Sequence, residues 1–425
     1  MAKRLFIFVV LGILIFSVYS IASEKDKKDD LYRQIELFSD ALATIKTDYV
    51  DEVTPRDLIY GALNGMLSSL DPHSQFMDPD TYNELKVDTE GKFGGLGIEI
   101  TVKDGLLTVV TPIEDTPAWK AGVKPNDRII KIGDEITRDM TLTEAVKKLR
   151  GPPGEPVNIT LLRESEKNIL ELKIIREIIK IKDIKEAKIL EEGIAYIRLL
   201  EFRENTSKDM DAVLEKLSKE GMTSLILDLR NNPGGLLDEA VKVTGKFIEK
   251  GNLIVYTKGR LASQNLEFVS ESNRPILDSP MVVLINEGSA SGSEIVAACL
   301  KHYKRAILLG TKSFGKGSVQ TIIPLSDGSG LRLTTSRYFT PSGEVIHGKG
   351  VEPDIIAEES RIGPETKEEV ELEKPQYIFE KLEKSDQENK GAQAPDYKSD
   401  NQLMRAVDIL KAVKIYKLTK TTTGK

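Results

Sequence analysis

The chain has 425 residues, 40% hydrophobic and 30% charged, and its 60 lysines and arginines against 67 aspartates and glutamates leave a net charge of −7. That length exceeds what one hydrophobic core organises and predicts two or three folded units. The acidic balance supplies no basic field, so nucleic acid is excluded as a partner. His73, His302 and His347 lack ligand spacing and the single cysteine, Cys299, lies in the apolar run IVAACL, so neither a metal site nor an intrachain disulfide is expected.

Lys3 and Arg4 precede an uncharged apolar run from Leu5 to Ile21, which breaks at Ala22-Ser23 into the charged stretch EKDKKDD. This layout over residues 1–23 is that of an export signal, and it predicts an exported, periplasmic or otherwise extracytoplasmic protein. Ser20-Ile21-Ala22 approximates a cleavage site, but a run of about 17 residues also suffices for an uncleaved inner-membrane anchor, so both outcomes stand. Over 24–83, Leu31, Ile35, Phe38, Leu42 and Ile45 recur at helical spacing. Thr54-Pro55 with Asp57 marks the start of a second helix, in a segment suited to packing or dimer contact.

Residues 84–170 hold the short β-like runs GIEI, LLTVV, DRIIKIGDEI and VNITLLRE with one helix, TEAVKKL, before the turn Gly151-Pro152-Pro153-Gly154. This is a compact β-rich module. From 171 to 356 the buried runs AYIRLL, SLILDLR, PMVVLIN and RAILLG alternate with amphipathic helices. Such alternation predicts an α/β core with a mainly parallel sheet. Residues 357–425 read as a charged linker and a helical arm, whose apolar stripe over 402–416 suits docking on the body or on a second subunit.

In such a sheet, chemistry gathers beyond the carboxyl ends of the strands. After PMVVLIN, small residues around Ser289, Ser291 and Ser293 lead into a helix, where amides and the macrodipole favour an oxyanion. Each serine is equally a candidate helix cap. A nucleophilic serine needs a base, and His302, eleven residues further along the same helix, is roughly 16 Å from Ser291. Lys316, in the loop after RAILLG, is the remaining candidate, because a lysine buried among apolar groups loses its charge readily. Gln320, on the same side of an extended segment, is placed to orient the amine. Gly310 to Lys316 also fits the start of a phosphate loop, but Gly317 and a following strand reject that reading. A solvated loop lysine stays open as the plainer alternative. In Asn231-Asn232-Pro233-Gly234-Gly235 the glycines expose amides for an oxyanion, joined by the amide of Gly292, or serve only a tight turn.

These residues, with LDPHSQF, GGLGIEI, DTPAWKAGVKPNDRIIKIGD, LRNNPGG, NEGSASGSE, FGKGSVQ and RYFTPSG, resemble the carboxy-terminal processing (tail-specific) protease family from about Leu31 to Ile356. The resemblance implies an α/β fold: a crotonase-like protease core with an inserted PDZ domain and helical segments at both ends. It implies Ser291 as nucleophile, Lys316 as general base, Gln320 as its support, oxyanion donors from Gly234 or Gly235 with Gly292, and no metal or organic cofactor. It also implies that Gly95-Leu96-Gly97-Ile98 holds a terminal carboxylate while a peptide adds beside Ile98-Glu99-Ile100, although GGLG alone reads as a glycine hairpin entry. Arg150, ending the module's helix, is expected to pair with an acidic partner and so regulate activation, or else to be a solvated arginine at a helix C-terminus. The expected protein is thus an exported serine endopeptidase acting on carboxy-terminal tails of proteins, with a second copy of the chain, an adaptor and, through an uncleaved anchor, the membrane as further partners. A silent PDZ scaffold and a crotonase-like acyl-transfer enzyme are the rivals: intact Ser291, Lys316 and Gln320 argue against the first, the PDZ-like insert against the second.

Overall fold

The computed structural model describes residues 30–103, 105–138, 140–163, 168–273, 279–360 and 397–422. The export signal read at 1–23 and residues 361–396 of the charged stretch lie outside them. The chain divides into two units, one of residues 1–79 with 321–333 and one of 80–320 with 334–425.

In the first unit, α1 (30–48) has the helical state that its apolar spacing predicts, yet Leu31, Ile35, Phe38 and Ile45 are all exposed. Among the described residues no core covers that stripe. Helix α2 (Pro55–Ser68) starts as read: Pro55 is at its first position and the Thr54 hydroxyl accepts from the Asp57 amide at 3.1 Å. β1 (Gln75–Met77) pairs antiparallel with residues 330–332, and Leu67, Phe76 and Met77 are buried.

The second unit opens within α3 (Pro79–Glu90) and holds a β-rich module followed by an α/β core. The β-rich module is entered through β2 (Lys92–Gly95) and comprises β3 (Ile98–Lys103), β4 (Leu106–Pro112), α4 (Pro117–Lys120), β5 (Arg128–Ile132), β6 (Glu135–Ile136), α5 (Leu142–Leu149), β7 (Pro156–Arg163) and β8 (Asn168–Ile175). Its sheet runs β3-β4-β5-β7-β8, leaving β3 at an edge. Leu107, Val109, Ile129, Ile159 and Leu161 pack with Ala145 and Leu149 of α5, a helix closed by a Thr141/Glu144 capping box. β9 (Glu177–Lys180) returns antiparallel to β2, so the chain enters and leaves the module through a two-stranded ribbon.

The α/β core follows: β10 (Ile184–Ile189), β11 (Ile194–Leu199), α6 (Thr206–Lys219), β12 (Ser224–Asp228), α7 (Leu237–Gly245), β13 (Leu253–Gly259), β14 (Glu267–Val269), β15 (Met281–Ile285), α8 (Gly292–His302), β16 (Ile307–Gly310), β17 (Ser318–Pro324), β18 (Gly330–Phe339), β19 (Ile355–Ile356) and α9 (Asn401–Thr422). The central sheet runs β10-β11-β12-β15-β16-β19, parallel except for β10. Because side chains alternate across a strand, Leu225, Leu227, Val283 and Ile285 meet α6, α7 and α8 on one face. Ile226, Val282 and Leu284 meet Leu403, Ala406, Val407 and Leu410 of α9 on the other. The stripe read over 402–416 is therefore docked on the body as far as Leu410, whereas Ile415 and Tyr416 at its end are exposed.

A buried ionic cluster anchors α9. Arg230, just past β12, donates to Asp228 at 2.9 and 2.7 Å, to Asp400 at 3.1 and 2.7 Å and to the Gln402 side-chain oxygen at 2.9 Å. Asp400 also accepts the Gln402 and Leu403 amides and so caps the helix. Burial pushes the Asp400 carboxyl up, but the Arg230 guanidinium more than offsets this and holds it below the usual carboxylate range. A depressed carboxylate contributes stability above its unfolded-state pKa, and that contribution disappears as pH falls through its folded value. Asp400→Asn, at a side chain 30% exposed, is expected to cost about 1–2 kcal/mol at pH 7. The gap from wild type in thermal denaturation should narrow as pH falls below the usual carboxylate range.

Candidate active site

Loops at the carboxyl ends of β12, β15 and β16 form the site. The first two are stitched together by two of the three candidate serines. The Ser289 hydroxyl donates to the Leu229 carbonyl at 2.8 Å and accepts the Asn286 amide at 3.0 Å; the Ser293 hydroxyl donates to the Asn232 carbonyl at 2.9 Å. Ser291 differs. Its hydroxyl lies 3.1 Å from the Tyr338 phenol and engages no backbone group, so it does not cap α8. Its backbone has φ +52° and ψ −112°, a strained corner between strand and helix of the kind that costs about 1–3 kcal/mol and exposes a nucleophile.

Glu294 holds this corner against the loop after β16. Its fully buried carboxylate accepts the amides of Ser291 at 2.9 Å, Gly315 at 2.7 Å and Lys316 at 2.8 Å, together with the Ser313 hydroxyl. Ser291 and Lys316 donate to the same oxygen, so their amides can be no further apart than two hydrogen bonds laid end to end. Lys316 itself is half-buried. Gln320 gives its amide nitrogen to Thr334 at 2.9 Å and Ser318 at 3.3 Å, which leaves its carbonyl oxygen without a partner among the described residues.

The glycine loop lies directly against Ser291. A Cβ on Gly234, at φ +105°, would come within 2.7 Å of the Ser291 Cβ and 2.8 Å of the Gly292 nitrogen. The two glycines are not equivalent: the Gly234 amide donates to the Asn232 side chain at 2.9 Å, whereas those of Gly235 and Gly292 have no partner among the described residues. In the β-rich module, Leu96 and Gly97 lead into edge strand β3 beside α5. Their carbonyls accept from Ala118 and Ile113, while their own amides have no partner among the described residues. Gly95 lies one step back, paired with Glu177 in the β2–β9 ribbon.

A model of peptidase family S41 matches residues 193–357, a PDZ-domain model 108–163, and a model of the activating protease CtpB N-terminal domain 15–81. A carboxy-terminal-processing protease of Bartonella bacilliformis is 44% identical over 363 residues, 84% of this chain and 83% of its own length. The chain belongs to the carboxy-terminal processing proteases of family S41. Two further members, CtpA and CtpB of Bacillus subtilis, are 36% and 35% identical, covering 79% and 78% of this chain and 69% and 68% of their own lengths.

Arg150 stacks on the Phe93 ring, 4.3 Å from its centroid, and pairs with no carboxylate among the described residues. The last turn of α5 is instead capped by Arg176, which donates to the Lys148 and Leu149 carbonyls at 2.8 and 3.1 Å. Sequence reasoning also missed Glu294 and Tyr338. Ser291-Gly292-Ser293-Glu294 has capping-box spacing, a signal for Glu294 reaching back to its own helix start, but nothing local points it at a loop some twenty residues on. Tyr338 stands in the quoted run RYFTPSG, with no signal of its role.

Proposed function

We propose that this S41 protease is an exported endopeptidase that captures protein carboxy-terminal tails beside β3 and cleaves them through an acyl-enzyme on Ser291. The observation that carries the reading is the convergence of the Ser291 and Lys316 amides on one Glu294 oxygen, with the Ser291 hydroxyl alone among the three serines kept off the backbone. Lys316, as a neutral amine steadied by the Gln320 carbonyl, takes the Ser291 proton as Oγ attacks the peptide carbonyl. The open amides of Gly235 and Gly292 receive the oxyanion, since that of Gly234 is spent on Asn232. Lys316 returns the proton to the leaving amine, and water then releases the acyl group.

Tail capture is supported by the unpartnered Leu96 and Gly97 amides at the head of an open sheet edge, a nest for a carboxylate. Export is supported by the charged and then apolar run at 3–21. The exposed stripe of α1 suits a second copy of the chain. A fluorophosphonate should label the protein once, and peptide mapping should place the adduct on Ser291. A tail peptide with a free terminal carboxylate should be cleaved with kcat/KM at least about tenfold above its amidated form, the worth of one charge-assisted anchor. Equal rates for the two peptides would remove tail capture from the reading.

A further inference from the structure

We propose that the Tyr338 phenol is a catalytic residue of this protease, donating a hydrogen bond to Ser291 Oγ that turns the serine proton towards Lys316 and stays on Oγ when it leaves the acyl group. The proposal rests on Ser291 as nucleophile and Lys316 as base.

Three observations support it. The two oxygens are 3.1 Å apart with both residues buried, Ser291 at 7% and Tyr338 at 5% exposure, so water does not compete for the contact. Tyr338 is held on both sides: its ring belongs to the main core, and its amide donates to the Gly317 carbonyl at 2.9 Å, next to Lys316. One residue therefore grips the nucleophile's oxygen and the base's loop together. Finally, the phenol has no other partner among the described residues, so Ser291 is where its proton goes. Burial raises the phenol's pKa, and the Ser291 hydrogen bond offsets this only in part, which keeps the group a donor where the protease works.

Each hydroxyl carries one proton. If the Ser291 proton is to pass to the Lys316 amine, Oγ must be the acceptor in its contact with Tyr338. In acylation the proton moves from Oγ to the amine, the Oγ–C bond forms and the C–N bond breaks, with Lys316 protonating the amine that departs. In deacylation water gives its proton to Lys316 and attacks, the C–Oγ bond breaks, and Oγ recovers a proton from Lys316. Tyr338 keeps its own proton throughout and shares it most strongly with Oγ when that oxygen is most negative.

Tyr338→Phe removes only the hydroxyl. Its kcat on a tail peptide should fall about 10²- to 10³-fold with KM little changed, the range for loss of one preorganised donor. The rate of fluorophosphonate labelling at Ser291 should fall in parallel. Unchanged or faster turnover and labelling would overturn the proposal, faster rates meaning that the phenol restrains the serine. Should the phenylalanine form not fold, 3,5-difluorotyrosine at position 338 keeps the ring and hydroxyl but ionises at lower pH. The alkaline limb of kcat should then move to lower pH as the donor is lost, a shift that a packing role would not produce; an unmoved limb overturns the proposal. If Ser291→Ala cleaves like wild type, the nucleophile assignment has failed, which is distinguishable from a failure of Tyr338 alone.

Discussion

Alanine at Ser291 is expected to lower hydrolysis of a tail peptide by about 10⁴-fold or more while costing only about 1 kcal/mol of stability. The two halves of that expectation have separate grounds. The loss in rate follows from removing the atom that forms the acyl-enzyme. The small loss of stability follows because the Ser291 amide stays on Glu294 and, among the described residues, the hydroxyl's contact to be lost is the one to Tyr338. Ser289→Ala and Ser293→Ala should cost a similar amount of stability, each deleting a buried bond to a loop carbonyl, without a comparable loss of rate. Lys316→Ala should match Ser291→Ala in rate, and the double variant should be no slower than either alone, because the two groups act as one unit. Chromatography of the cleaved peptide alongside thermal denaturation checks all five variants. Cleavage by Ser291→Ala at the wild-type rate would mean that another nucleophile does the work.

Glu294→Gln is expected to reduce kcat/KM by about 10²- to 10³-fold, with KM moving much less than kcat. The carboxylate accepts four donors, the amides of Ser291, Gly315 and Lys316 and the Ser313 hydroxyl, and it is fully buried. A glutamine fills the same space but turns an NH₂ towards some of those donors, so one side of the clamp opens and the two loops part. Glu294→Ala leaves all four without their acceptor and should cost about 3–5 kcal/mol of stability as well. An aspartate, one methylene shorter, should rescue little, because the reach to Gly315 and Lys316 is lost. Since the Glu294 carboxylate holds the Ser291 amide rather than its hydroxyl, the decisive reading is the fluorophosphonate labelling rate of Ser291, which should fall only if the corner itself has shifted. A Glu294→Gln enzyme with normal kcat would show that the loops hold their places without it.

Much of this was legible in one dimension. Buried runs such as SLILD and MVVLI became the central strands β12 and β15, because five apolar residues in a row suit a strand covered on both faces. Thr54 marks its helix because capping is local chemistry. What could not be read were relations between distant segments. Which of three neighbouring serines is left free depends on the Leu229 and Asn232 carbonyls, some sixty residues upstream. Which of two adjacent glycines keeps its amide depends on where the Asn232 side chain turns. That Arg150 lies over the face of Phe93, a residue in the ribbon through which the chain enters the module, is likewise a relation between distant segments.

The grip of Arg230 on Asp400 and Gln402 bears on the order in which the fold can close. Ribosomes make Ser291 and Lys316 well before residue 400 exists, and until then Arg230, at the root of the Gly234–Gly235 turn, lacks two of its three partners while one face of the sheet lacks the α9 residues that cover it. The α/β core is thus completed only in the closing stages of synthesis.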